Sequence, residues 1–151
     1  MESTPELIDF ILAAKKAAYA GDGSHSPPSR PTSVDLPFQQ GDYSYLDSYF
    51  GGYAFIGEEV VRFQGRPVWG MNYYGTMTVP ETPTGFNTFL KEALRHVPVE
   101  APYRGPHQFQ EGKFIYNCRW KGSPTFFEGE EIIFREKKPI YRLYFHGGVI
   151  Q

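Results

Sequence analysis

The stretch IGEEVV, residues 56–61, returns as EGEEII at residues 128–133. Whether this is a catalytic signature or a copied piece of architecture decides how the chain is read. Sliding the sequence on itself by 71 residues brings Pro31 onto Pro102, Phe38 onto Phe109, Gln39 onto Gln110, Gly41 onto Gly112, Tyr45 onto Tyr116, Gly51 onto Gly122 and Phe55 onto Phe126. One inserted residue near Glu128 moves the shift to 72, after which Gly57, Glu58, Glu59, Pro67 and Gly75 match Gly129, Glu130, Glu131, Pro139 and Gly147. The punctuation keeps phase as well: QQGD matches QEGK, FGGY matches KGSP, and QGRP matches EKKP. Gly-Gly and Gly-Ser between β-like runs read as two-residue hairpins, because glycine takes positive φ at little cost. Pro67 and Pro139 read as strand entries, where a missing N–H is tolerated. The doublet is therefore architecture, with Glu58 and Glu59 expected to pair across strands or with turn donors.

Each copy predicts a meander of three strands, over 43–50, 53–63 and 67–75 and then over 114–121, 125–135 and 139–146, each preceded by a helix. In the first helix Leu7, Ile8, Ile11, Leu12 and Ala14 share an apolar face, Ser3 and Glu6 have capping-box spacing, and Gly21 ends it. In the second, Phe86, Phe89, Leu90, Ala93, Leu94 and Val97 form the face and Pro98 stops it. The Gly/Ser/Pro-rich stretch 21–31 reads as a mobile connection. The expected fold is one α+β domain over residues 1–151, built from two pseudo-symmetric helix-plus-antiparallel-meander repeats at about 5–75 and 84–147.

Composition bounds the function. The chain has 151 residues, 17 % of them aromatic, with 11 Tyr and 13 Phe against 2 Trp, and a formal charge of -2. No run of Lys and Arg exceeds a pair, which argues against direct contact with nucleic acid. The single cysteine, Cys118, cannot close an intramolecular disulfide, and no apolar run is long enough to span a bilayer. The expectation is a soluble, cytoplasmic protein that does not engage membranes. The four histidines have no metal-ligand spacing, and there is no GxSxG elbow or phosphate loop, so neither metal nor cofactor is expected.

The informative positions are those where the copies differ on a face that should be buried. Alternate residues of a strand share a face. On the first strand that face holds Tyr43, Tyr45, Asp47 and Tyr49; on its counterpart it holds Phe114, Tyr116, Cys118 and Trp120. Asp47 thus points into a layer of rings, where an ionised carboxylate loses several kcal/mol of solvation unless it is paired. Tyrosine hydroxyls or a core arginine could satisfy it. Alternatively it forms a pocket with Tyr43, Tyr45, Tyr49, Trp69, Tyr73, Tyr116 and Trp120, a composition suited to small aromatic or cationic ligands. Arg104, held on the stiff loop APYRGP, is the natural partner for Asp47 or for a ligand carboxylate.

The strings YLDSYFGG, FIGEEVV, VWGMNYYG, FLKEAL, APYRGP, FFEGEE and YFHGG together resemble a small bacterial domain-of-unknown-function family, over about Leu7 to Ile150. Some members of that family follow a helix-turn-helix of the XRE type, which implies an effector-sensing role and no defined activity. Pseudo-symmetric α+β domains with aromatic pockets and a central acid are also similar to the effector domains of multidrug-responsive regulators. Three functions follow as expectations: a small-molecule-binding domain, a small enzyme using Asp47, Glu58 or His146 as acid–base groups, and a structural protein whose aromatic excess serves a homodimer.

Overall fold

The computed structural model describes residues 3–19 and 25–151. Two helices, α1 (Pro5–Tyr19) and α2 (Phe86–Arg95), accompany eight strands: β1 (Val34–Gln40), β2 (Tyr43–Gly51), β3 (Ala54–Phe63), β4 (Arg66–Met77), β5 (Gln108–Glu111), β6 (Phe114–Ser123), β7 (Phe126–Arg135) and β8 (Lys138–Val149). The strands form one antiparallel sheet in the order β1-β2-β3-β4-β8-β7-β6-β5, so two consecutive meanders meet side by side along β4 and β8. The architecture is α+β.

Both helices lie on one face of the sheet. α1 buries Leu7, Phe10, Ile11, Ala14, Lys15 and Tyr19, and α2 buries Phe86, Phe89, Ala93 and Leu94. The apolar stripe of α1 is therefore shifted from the expected one: Phe10 and Lys15 face the sheet, while Ile8 and Leu12 lie at its margin. Its start also differs. Pro5 occupies the first helical position, where its lost N–H costs nothing, so Thr4 becomes the cap and its Oγ1 accepts from the Leu7 N–H at 3.2 Å. The expected stop at Gly21 lies outside the described residues.

Strands β1 and β5 were not expected. β1 carries Pro37 and β5 is four residues long, and both are sheet edges, where weak β sequence suffices. The turns are of matching kinds. Gln64 and Gly65 turn β3 into β4 at φ 49° and 80°, and Glu136 and Lys137 turn β7 into β8 at 52° and 69°. The hairpin between β6 and β7 turns at Pro124 and Thr125 rather than at Gly122 and Ser123. Gly51 and Gly122 sit just before their turns at φ 101° and 92°, where a Cβ would come within 2.2 Å and 2.1 Å of a carbonyl oxygen. From His25 on, the connection to β1 is tied down: the Ser26 N–H donates to the Asp35 carbonyl, and Asp35 accepts from the Ser29 N–H and the Ser33 and Ser48 hydroxyls.

The helix-covered face is the core. It holds Tyr45, Val61, Trp69, Met71 and Tyr73 from the first meander and Tyr116, Ile133, Tyr141, Leu143 and Phe145 from the second. Among the described residues the opposite face carries no helix, and Ile56, Tyr74 and Tyr144, neighbours across β3, β4 and β8, are 55 %, 50 % and 53 % exposed.

Candidate functional site

The register fixes which carboxylates are buried. Asp47 stands opposite Glu59 across β2 and β3, and Cys118 stands opposite Glu131 across β6 and β7. Strand alternation turns the second glutamate of each doublet inward, where Glu59 and Glu131 are fully buried, and the first outward.

Glu131 is saturated with donors. Arg104 forks onto it, Nε to Oε2 at 3.1 Å and Nη2 to Oε1 at 2.7 Å, and the Tyr116 and Tyr141 hydroxyls each donate at 2.6 Å. Burial first, then the Glu131 charge, holds both tyrosines well above their usual pKa, so they remain donors. Burial opposes the Arg104 charge most strongly of any single cause, but Glu131 together with Tyr19 and Tyr141 more than offsets it and holds the guanidinium pKa above its usual value. Burial and Glu131 also push the Cys118 thiol up to about 12, which makes it an inert core group.

Glu59 is bound less completely. Lys15 reaches from α1 to its Oε1 at 2.8 Å while also donating to the Tyr103 carbonyl at 2.6 Å, and the Tyr45 hydroxyl donates to the same Oε1 at 2.5 Å. Oε2 has no partner among the described residues. Burial lowers the Lys15 pKa, with Glu59 pulling the other way.

Asp47 is 7 % exposed and takes one hydrogen bond, from the Tyr73 hydroxyl at 2.5 Å. Burial, and next the Glu59 charge, push its pKa up to about 7. Beside it opens a cavity of about 450 Å³ between the helices and β2, β3 and β4. Tyr49, Phe55 and Tyr73 form its aromatic wall, Leu90 and Leu94 of α2 the opposite side, and Arg104 part of its lining. Exposed His25 and Lys91 also line it.

Of the nine residues expected to bind a ligand, Asp47, Tyr49, Tyr73 and Arg104 line this cavity. The other five lie elsewhere. Tyr45 and Tyr116 are committed to Glu59 and Glu131. Trp69 is sealed against Phe127 and donates to the Pro124 carbonyl. Tyr43 stacks on Phe10, and Trp120 stacks on His107 at 3.8 Å. Arg104 pairs with Glu131 rather than Asp47, and its guanidinium lies over the Tyr73 ring at 5.5 Å. The acid–base set is divided by the sheet: Asp47 faces the helices, whereas Glu58 and His146 are exposed on the open face, separated along one rung by Asn72.

Sequence reasoning took the Glu doublet as architecture pairing across strands, as Glu59 does with Tyr45, but missed Lys15 as the partner of Glu59 and Glu131 as the partner of Arg104. Lys15 follows Leu7 and Ile11 at helical spacing, which is the signal that placed it inward. Two wider grooves, of about 790 and 650 Å³, cross the open face and share Tyr144 and His146. Of their carboxylates Glu58 and Glu128 face solvent, and half-buried Glu130 is paired with Arg119. The cavity under the helices is where a desolvated carboxylate with spare acceptor capacity meets empty space.

The buried ion pairs and the carboxylate-bearing cavity define an α+β domain whose aromatic and aliphatic core encloses a small polar framework. The chain belongs to the family described as Domain of unknown function (DUF5680), whose model matches residues 47–150. No curated protein and no solved structure matches it. Among the described residues no helix is long and apolar enough to cross a membrane.

Proposed function

We propose that the protein is a cytoplasmic effector-sensing domain that binds a small ligand in the cavity beside Asp47. The observation that carries this is the unequal treatment of the two acids. Glu131 has every oxygen satisfied by the fold, whereas Asp47 receives one hydroxyl and fronts a cavity of about 450 Å³ walled by Tyr49, Phe55 and Tyr73. A buried carboxylate next to rings is the arrangement that recognises an organic ammonium.

The reading includes an internal duplication, supported by three coincidences of position. The strand orders of the two meanders mirror each other about β4 and β8. The register shifts fall at Val61/Arg62 and Ile133/Phe134, 72 residues apart. Inward Glu59 and Glu131 each accept from a tyrosine on the neighbouring strand, Tyr45 and Tyr116. Asp47 and Cys118 are then equivalent positions that diverged, which leaves a cavity acid in one half and a sealed thiol in the other.

Aromatic amines at about a hundredfold over their dissociation constants should raise the melting temperature of the wild type by roughly 5 °C or more. Asp47→Asn should remove the shift. A melt unmoved by a broad panel of amine-bearing aromatic compounds, amino acids included, would retire the proposal. The exposed rung Ile56, Tyr74 and Tyr144 favours a second reading, a homodimer through the open face; sedimentation as a monomer at all concentrations would exclude it.

A further inference from the structure

We infer that the ligand is a zwitterion of the aromatic amino-acid class, its ammonium on Asp47 and its carboxylate on Arg104. This rests on the cavity reading above and narrows it to one chemistry. Asp47 and Arg104 line the same cavity without forming an ion pair with each other. Among the described hydrogen bonds Asp47 uses Oδ1, leaving Oδ2 as an acceptor, and Arg104 uses Nε and Nη2 on Glu131, leaving Nη1 as a donor. Both side chains are more than nine-tenths buried, at 7 % and 5 % exposure. One space therefore presents a desolvated acceptor and a desolvated donor of opposite charge.

Ligands of other charge fit this pair less well. A simple cation on Asp47 leaves the Arg104 Nη1 donor, which Glu131 does not use, without an acceptor in the same space. An anion on Arg104 meets the Asp47 carboxylate. A neutral ligand would displace water from both charged groups without replacing it. A ligand with both signs on one carbon answers both free atoms, its ammonium the Asp47 Oδ2 and its carboxylate the Arg104 Nη1. The remaining wall sets the side chain. Tyr49, Phe55 and Tyr73 offer ring faces, and Leu36, Leu90 and Leu94 supply apolar surface. Lys91, exposed on α2, adds positive charge on the carboxylate's side of the balance.

The test is calorimetric titration of the whole chain at pH 8, where Asp47 is ionised, with three matched sets of probes. These are L-phenylalanine, L-tyrosine and L-tryptophan; the amines phenethylamine, tyramine and tryptamine; and the corresponding 3-arylpropionates. At least one amino acid should bind ten-fold or more tightly than both its amine and its acid. Asp47→Asn should weaken that amino acid at least ten-fold and leave the arylpropionate no weaker than before. If an amine binds as tightly as its amino acid, the cavity binds cations and the zwitterion assignment is wrong while the broader reading stands. If an arylpropionate binds tightest, Asp47 does not face the ligand and both fall. If none of the nine binds, both fall as well.

Discussion

Asp47 is a buried acid whose pKa the fold raises, and this has a measurable sign. Burial and the Glu59 charge raise its pKa from the ordinary carboxylate range to about 7 in the folded chain. Between those two values the native state holds a proton that the unfolded chain has lost. Its contribution to stability is therefore complete below about pH 4, declines as pH rises through 7, and is flat beyond. Asparagine resembles the protonated acid and can still accept from the Tyr73 hydroxyl. Asp47→Asn should match the wild type in urea denaturation below about pH 4 and exceed it increasingly up to pH 8, by an amount on the order of a few kcal/mol. Parallel pH profiles for the two proteins would show that the carboxylate is not desolvated. The same titration bears on binding: a ligand ammonium competes with a proton for Asp47, so affinity should weaken as pH falls below 7.

At the scale of elements, α1 is fastened to the sheet by Lys15 as much as by its apolar stripe. The ammonium joins three parts of the chain, α1, β3 through Glu59, and the 101–105 loop through the Tyr103 carbonyl. Lys15→Met keeps the volume but strands the buried Glu59 carboxylate, a loss of about 3–5 kcal/mol. Adding Glu59→Gln removes the stranded charge, and most of the stability should return in the double variant, as read by urea denaturation of all three. A double variant no better than the single would mean that α1 docks by packing alone. The six longer strands and both helices were legible because their periodicities are strong and Gly-rich turns separate them. The inward placement of Asp47 followed from alternation along Tyr43, Tyr45 and Tyr49. β1 and β5 escaped notice because an edge strand is stabilised by its neighbour rather than by its own sequence, so Pro37 and the short QFQE were weak signals. The nine-residue aromatic site dissolved into four because a shared face is not a shared cavity: Tyr45, Tyr116 and Trp69 found partners within the core that strand periodicity cannot foresee.

On the scale of the whole molecule, the two meanders are joined along the pairing of β4 with β8, and charged side chains of one half reach backbone of the other. Lys15 of the first half donates to the Tyr103 carbonyl of the second, and Arg95 of α2 donates to the Tyr19 carbonyl of α1. Neither half closes its interior alone, so the chain should unfold as one unit. The seam is made of small residues where the backbones run closest. Met71 and Gly70 of β4 lie opposite Gly147 and Gly148 of β8. A Cβ on Gly147 would stand 2.2 Å from the Gly70 carbonyl oxygen and 2.8 Å from the Met71 Cα, backbone of β4 that cannot yield, and 2.7 Å from Cζ of the buried Phe127 ring. Gly147→Ala must therefore part β4 from β8 locally, and a loss of about 3 kcal/mol or more is expected, comparable to the cost of overpacking a core. Gly52, where an added Cβ meets nothing within 4 Å, gives the control: Gly52→Ala should change stability by less than about 1 kcal/mol. If the halves depend on each other through the seam, Gly147→Ala should lower the single transition seen by circular dichroism and by Trp69 fluorescence together. Two separated transitions in the wild type would show instead that each meander folds on its own and that the shared interior is an assembly of finished parts.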